Sequence, residues 1–422
     1  MKVLFLSPWF PFPPANGSEL RIHALLRGLA ARHDVTLISF QRRPITPEGL
    51  TAARRMLSAV HLVPWRDFDP ASLRSRLGFF SSRPRSIVDT YSVEMAGLIS
   101  QEIETGRYDV VVAAQLTMAA YWPCFQSVPA VLEEIELGIY MPPVPNNGSV
   151  NTILRQHLMW AKLRAYVRGL LPRFAAVTVV SGRERAILKQ ITSTFETVRI
   201  VPNGVDLANR PIGTVIRNPQ TLIFAGAFTY DVNYEAMEWF TGRVFPLVRQ
   251  ELPNTRLIIT GDHAGKVLPS VENVTLTGYI EDIQSAIAGA AVSIAPILQG
   301  GGTRLKILEA MALGTPVVST TKGAEGLDAV DGRDILLADT PEAFAAAVLR
   351  LLRDLDLRQN LVNNACDLIR RQYDWNIILP EFLELVEKVA VDRAVTMPEV
   401  QPLAATPRDV HPLPGTTAGR VP

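Results

Sequence analysis

At 422 residues the chain exceeds the roughly 250–300 residues at which a single hydrophobic core stops growing, so two domains are expected. With 48% hydrophobic and 20% charged residues, and 42 basic side chains against 41 acidic, it reads as a globular protein of formal net charge +1; this excludes the basic footprint of a nucleic-acid binder. Cys124 and Cys366 stand far apart, which excludes a CxxC metal pattern or a disulfide framework and points to a reducing compartment.

The opening stretch MKVLFLSPWFPFPPANG has one lysine and a short apolar run broken by prolines, unsuited to a signal-peptide core. No later apolar run reaches the roughly 18–20 residues that cross a bilayer. A cytoplasmic protein is expected, with peripheral contact at the inner face of a membrane left open. Short β-branched runs then alternate with segments of helical period, the signal of parallel strands joined by crossover helices. Strands are expected at 2–7, 35–40, 60–63, 109–114, 130–134, 176–180 and 198–201, with helices at 19–32 and 153–173 among them. The second of these helices carries Arg155, Lys162, Arg164, Arg168 and Arg173, a pattern suited to a solvated face or to contact with anionic lipid or a lipid-phosphate acceptor.

The rhythm breaks at 207–220, where Asn209, Pro211, Gly213, Asn218 and Pro219 mark a linker. It restarts with strands at 221–225, 256–260, 274–276, 292–295, 316–319 and 335–337, followed by helices at 341–353, 357–371 and 375–390. The expected plan is an α/β protein of two Rossmann-like domains facing a central cleft. Residues 1–206 form the first domain and 221–374 the second, a helix at 375–393 follows, and the Pro-rich tail 394–422 is disordered.

Open parallel sheets bind ligands beyond the carboxyl ends of their strands. The most informative such loop is Gln299-Gly300-Gly301-Gly302-Thr303-Arg304, whose glycines permit close approach of the backbone and leave N–H groups free at a helix start, a setting for phosphate. On the helix read from this point, Thr303, Lys306 and Glu309 recur every three residues and share a face. Lys306 can neutralise a diphosphate and Glu309 can accept from sugar hydroxyls; the bland reading is a helical ion pair worth about 0.2–0.5 kcal/mol.

In the first half, Pro13-Pro14-Ala15-Asn16-Gly17-Ser18-Glu19 lacks GxGxxG, which argues against a dinucleotide-binding dehydrogenase. Ser18 is read as a helix cap, and Glu19 and Arg21 equally well as surface residues. Gln115 and the carboxylates Glu133, Glu134 and Glu136 follow expected strands and are read as facing the cleft, where they suit acceptor hydroxyls, or as an exposed edge. The six histidines form no HxxxH cluster, so no essential metal is expected.

The stretch GGGTRLKILEAMALGTPVVSTTKGAEGL resembles the donor-site signature of the GT-B glycosyltransferases in the large retaining group called family 4. Supporting segments are Val201–Asp206, Phe224–Phe228 followed by Asn233, Thr277–Ile280 followed by Asp282, and Tyr373-Asp374-Trp375. The resemblance implies a glycosyltransferase that takes a sugar from a nucleotide-diphosphate sugar, with retention and without a bound divalent ion, and passes it to a glycan, lipid-linked or small-molecule acceptor. It implies that Glu309 binds the donor ribose and that Gly300, Gly301, Gly302, Thr303 and Lys306 meet its phosphates and sugar. Gly17 would approach from the opposite domain, Gly226 would join the donor site, and Asn203 and Gly204 would form the interdomain turn. The sequence departs from the pattern twice. Gly301 replaces the first of two family glutamates, and the 226–233 segment lacks the family's Arg and Lys, which leaves Lys306 and Arg304 as the catalytic cations. A nucleotide-sugar epimerase and a non-catalytic nucleotide-sugar-binding subunit remain the alternatives.

Overall fold

The computed structural model describes residues 1–141, 150–192, 197–208, 215–268, 271–301 and 304–396, without the side chains of 139, 150–152 and 393–396. Seven strands form the first sheet: β1 (Lys2–Ser7), β2 (Asp34–Gln41), β3 (Ala59–Pro64), β4 (Val110–Ala114), β5 (Ala130–Glu133), β6 (Ala176–Val179) and β7 (Val198–Ile200). Six form the second: β8 (Thr221–Ala225), β9 (Arg256–Thr260), β10 (Val274–Gly278), β11 (Val292–Ala295), β12 (Val317–Ser319) and β13 (Leu336–Leu337). The orders are β3-β2-β1-β4-β5-β6-β7 and β10-β9-β8-β11-β12-β13, and the strand pairs are parallel.

Burial on both faces explains why these strands read as unbroken apolar runs. Val3 and Phe5 belong to one core cluster and Leu4 and Leu6 to the other; on β4, Val110 and Val112 oppose Val111 and Ala113 in the same way. The period of two thus divides each strand between two helical layers. Both sheets reverse direction of growth beside their first strand, between β1 and β4 and between β8 and β11, and such switch points open crevices at the carboxyl ends of the strands.

The last helix, Trp375–Thr396, packs on the first sheet although the chain reaches it from the second. Trp375, Ile378, Phe382, Leu383, Leu385, Val386 and Val389 share a core cluster with Ile22, Leu25 and Leu29. At about 1.5–3 kcal/mol for each large apolar side chain fully buried, this packing is a strong tie. Gly28 permits the close approach, since a Cβ there would lie 2.9 Å from Leu379. Where the chain passes between the sheets its two crossings are hydrogen-bonded: Val205 N donates to Tyr373 O (2.8 Å) and Trp375 N to Val205 O (3.2 Å).

The helix reaches Thr396, three residues into the stretch read as tail; residues 397–422, on which the rest of that expectation falls, lie outside the described residues, as do 209–214 of the expected linker. Residues just beyond that gap hold to loops of the second sheet, with Arg217 donating to Gly314 O (2.7 Å) and Asn218 N to Gly289 O (2.8 Å).

Candidate active site

Beyond β1 the chain turns into the Gly17–Ala30 helix, whose cap is Asn16: its side-chain oxygen accepts from Glu19 N at 3.0 Å. The reading of Ser18 as the cap is corrected. The signal was present as Asn16-x-x-Glu19, a capping-box spacing. Glu19 and Arg21 are both buried, which corrects their reading as surface residues. Glu19 Oε2 accepts from Ala15 N and Arg43 Nη2, each at 2.7 Å. Arg21 donates through Nε to Glu133 Oε1 (2.8 Å) and through Nη1 to Pro202 O (3.0 Å) and Asn203 Oδ1 (3.1 Å). Burial disfavours this guanidinium, but Glu133 and Glu134 outweigh it and hold it charged. Glu133 is therefore spent in an internal pair and does not face the cleft, a second correction; a buried carboxylate is tolerated only when so paired.

Gln115 and Glu134 stand one residue past β4 and β5, and both adopt left-handed backbone, at φ +61 and +58. Such geometry costs about 1–3 kcal/mol for a non-glycine residue and clusters at functional sites. It brings the two side chains together, Gln115 Nε2 donating to Glu134 Oε2 at 2.7 Å. Burial pushes the Glu134 carboxyl up to about 8 against the pull of Arg21, so it carries a proton at neutral pH. Glu136 is less buried. It too is raised, by burial and then by Glu184, while Arg21 and Arg304 pull it down; the influence of Arg304 reaches it from the second sheet's side of the cleft.

On the second sheet, Gly226 follows β8 and the glycine loop follows β11, neighbours at the switch point. Lys306 reaches toward Gly226: a Cβ on this glycine would lie 2.7 Å from Lys306 Nζ and 2.9 Å from Asn233 Nδ2. The ammonium donates to Asn233 Oδ1 (2.8 Å) and stands 3.9 Å from the Phe224 ring centroid. This contact, not an ion pair with Glu309, is where the lysine is held. Burial and then Arg304 push Lys306 down to about 7, with Glu309 opposing; burial pushes Glu309 up to about 7, with Lys306 opposing. Two groups held this close to neutrality in an open cleft suit a ligand that supplies the missing charge.

The helix begins at Leu305, with Arg304 as its flanking residue, and Lys306 and Glu309 lie three residues apart on it. Gly302 and Thr303 lie outside the described residues. Gly300 has φ +86, and a Cβ there would come within 2.8 Å of Tyr230 Oη. Arg304 folds back to donate to Gln299 O (3.2 Å), while its buried Nε has no acceptor among the described residues. Leu305 meets the first sheet's side directly: a Cβ on Gly17 would lie 2.9 Å from Leu305 Cδ1.

The structure thus gathers Gly226, Gly300, Arg304, Lys306 and Glu309 on one wall, brings Gly17 against it, and pairs Gln115 with Glu134 on the opposite side. The Arg21–Glu133–Asn203 link escaped the sequence reading, because Arg21 lies more than 100 residues from both partners and nothing local marks an arginine for burial.

Residues 15–209 match the family model described as Glycosyltransferase Family 4, and residues 219–354 the model described as Glycosyl transferases group 1. Among curated relatives, the chain is 30% identical over 203 residues to the phosphatidyl-myo-inositol mannosyltransferase of Mycobacterium leprae, a match covering 45% of this chain and 53% of that protein. The chain spans about half the length of the curated relatives it matches. Among solved structures, Anabaena HepE in complex with UDP and glucose aligns at a TM-score of 0.60 and 16% identity, over 92% of this chain and 100% of that one. Sucrose-phosphate synthase from Thermosynechococcus elongatus aligns at 0.63 and 16% identity, over 93% and 100%. At such identity these structures establish a shared fold, the two-sheet GT-B architecture. With family models matching both halves, the chain belongs to the group 1 glycosyltransferases of the family 4 type, built on the GT-B fold.

Proposed function

We propose that this chain is a glycosyltransferase that takes a sugar from a nucleotide-diphosphate sugar and transfers it, with retention of configuration, to a glycan, lipid-linked or small-molecule acceptor. The observation that carries the reading is the wall formed by Lys306, Arg304 and the glycines at 226 and 300: a half-neutral lysine and an arginine with an unused buried N–H, beside backbone that no Cβ crowds. The relatives support it, as they include phosphatidyl-myo-inositol mannosyltransferases and structures bound to UDP and UDP-glucose.

In this reading the diphosphate lies against Lys306 and Arg304, and Glu309 accepts from the ribose hydroxyls. The bond between the anomeric carbon and the phosphate oxygen breaks with its electron pair leaving on the diphosphate, while the acceptor oxygen bonds to the same carbon. The acceptor's proton passes to the departing phosphate oxygen on that face. Lys306 and Arg304 meet the negative charge as it grows, which lowers the barrier without a bound divalent ion. Glu134, protonated and oriented by Gln115, is placed to hydrogen-bond an acceptor hydroxyl or the transferred sugar.

Incubating the protein with a panel of nucleotide-diphosphate sugars and candidate acceptors, with detection of free nucleotide diphosphate and glycosylated product, tests the proposal. Product dependent on both substrates and lost in Lys306→Met supports transfer. Interconversion of a donor without acceptor would point to an epimerase, and donor binding without turnover to a binding subunit.

A further inference from the structure

A cavity of about 390 Å³ opens in the first-sheet half, beside the proposed acceptor side: Leu116 and Thr117, the two residues after Gln115, line it. Four cations also line it, Arg42, Arg85, Arg155 and Lys162, and none of its described lining residues is a carboxylate. In a chain of net charge +1, four converging positive charges are not a matter of composition.

Two carboxylates outside the lining, Asp67 and Glu19, favour the charged form of Arg42; Glu19 is also paired with Arg43 (2.7 Å), and Asp67 accepts from Trp65 Nε1 (2.8 Å). Lys162 Nζ is held by Gly78 O (2.8 Å) and Phe79 O (2.9 Å), carbonyls that orient the ammonium without neutralising it. Its pKa is lowered by burial and by Arg85, a repulsion that an anion would relieve. Arg85 is likewise fixed by backbone, donating to Ser75 O (2.9 Å) and Pro70 O (2.8 Å). Arg42 is sandwiched between rings, 4.0 Å from Trp9 and 3.6 Å from Trp65, so it is pre-positioned before any ligand arrives.

The remaining wall is apolar, built around Trp65, Trp160 and Met159. The surface beside it is apolar too. Phe80, next to the turn that Lys162 holds, is 92% exposed, and Leu154 and Leu158 on the Val150–Leu170 helix are 67% and 57% exposed. Exposed apolar side chains on the helix and turn that also supply the pocket's cations suit an amphiphile, with the anionic group inside and the chain outside.

We infer that this cavity binds an anionic amphiphile, a phosphate- or carboxylate-bearing head joined to an apolar chain, and that this molecule is the sugar acceptor. The acceptor role rests on the transfer reading above; the binding site stands on the cavity alone.

Calorimetric titration with dodecyl phosphate below its micelle concentration tests the site, with inorganic phosphate and dodecyl maltoside as comparators. The wild-type chain is expected to bind dodecyl phosphate at least about tenfold more tightly than either comparator. Arg155→Gln, a change at an exposed position, is expected to weaken it about tenfold, the loss of one charge-assisted hydrogen bond. Trp160→Ala should weaken it independently. Equal affinity for dodecyl maltoside, or unchanged dodecyl phosphate binding in both variants, overturns the inference. Co-sedimentation with phosphatidylcholine vesicles containing phosphatidylinositol distinguishes the source: binding lost in Arg155→Gln marks a membrane lipid, and binding of dodecyl phosphate alone marks a soluble amphiphile. A parallel titration with the panel of nucleotide-diphosphate sugars separates the two readings. Binding of any donor without dodecyl phosphate binding removes the cavity and leaves the donor site standing, whereas dodecyl phosphate binding with no donor of the panel bound keeps the cavity and removes transfer.

Discussion

Lys306 makes the proposed donor site measurable through pH. In the empty cleft burial pushes the ammonium from its ordinary 10.5 down to about 7, so at about pH 8 only about one lysine in ten is charged. A diphosphate settling against it favours the charged form, and binding must then take up close to one proton above about pH 7. Affinity is lost as pH rises: the dissociation constant should be flat below about 7 and increase about tenfold per unit above it, until the pKa of the bound lysine is reached. UDP-glucose is a suitable probe, since both its phosphates stay ionised across this range. Calorimetry at about pH 6, 7, 8 and 9, repeated in two buffers of different ionisation enthalpy, reads affinity and proton uptake together. Lys306→Met should bind more weakly at about pH 6 and lose most of the slope above about 7. Affinity independent of pH in the wild-type chain, or the same slope with and without the lysine, would refute the assignment.

Three further outcomes follow from the buried polar groups and crowded glycines. Arg21→Met orphans the Glu133 carboxyl, whose ordinary value is 4.5; its escape is protonation, which costs up to about 3 kcal/mol at about pH 7. The raised folded pKa means that this part of the loss is absent below about 4.5 and grows as pH rises, so urea unfolding at about pH 5 and 7 should give a larger deficit at the higher pH, and Glu133→Gln in the same chain should recover much of it. At Gln115, φ +61 predicts that Gln115→Gly unfolds about 1 kcal/mol later than Gln115→Ala, while both lose transferase activity with the amide that orients Glu134; equal midpoints would remove the strain argument. Gly204→Ala places a Cβ 2.7 Å from Ile378 and 2.9 Å from Trp375, and should cost about 1–3 kcal/mol in urea unfolding through the crossing between the sheets.

The amino-acid sequence by itself determined the elements. All thirteen expected strands are present, with ends shifted by at most two residues, and the helix at Pro341–Arg353 has the expected bounds. These features rest on local order: a strand buried on both faces must be apolar along its length, and Thr340 before Pro341 caps and starts its helix, the hydroxyl accepting from Ala343 N. The glycine loop and the lysine after it stand out along the chain as a candidate site for a related local reason, since glycine leaves backbone open to close approach. What only the tertiary structure decided is which loops meet. Strand order puts Gly226 beside the Gly300 loop and Gln115 within reach of Glu134, and no periodicity encodes that order. It also decided which charges serve the site. Glu133 and Glu134 are adjacent in the chain, yet one is neutralised by Arg21 from 112 residues away and the other is left as a protonated acid. Desolvation and Coulomb interaction depend on surroundings assembled from distant segments, so the lysine's presence could be read along the chain, but its pKa could not.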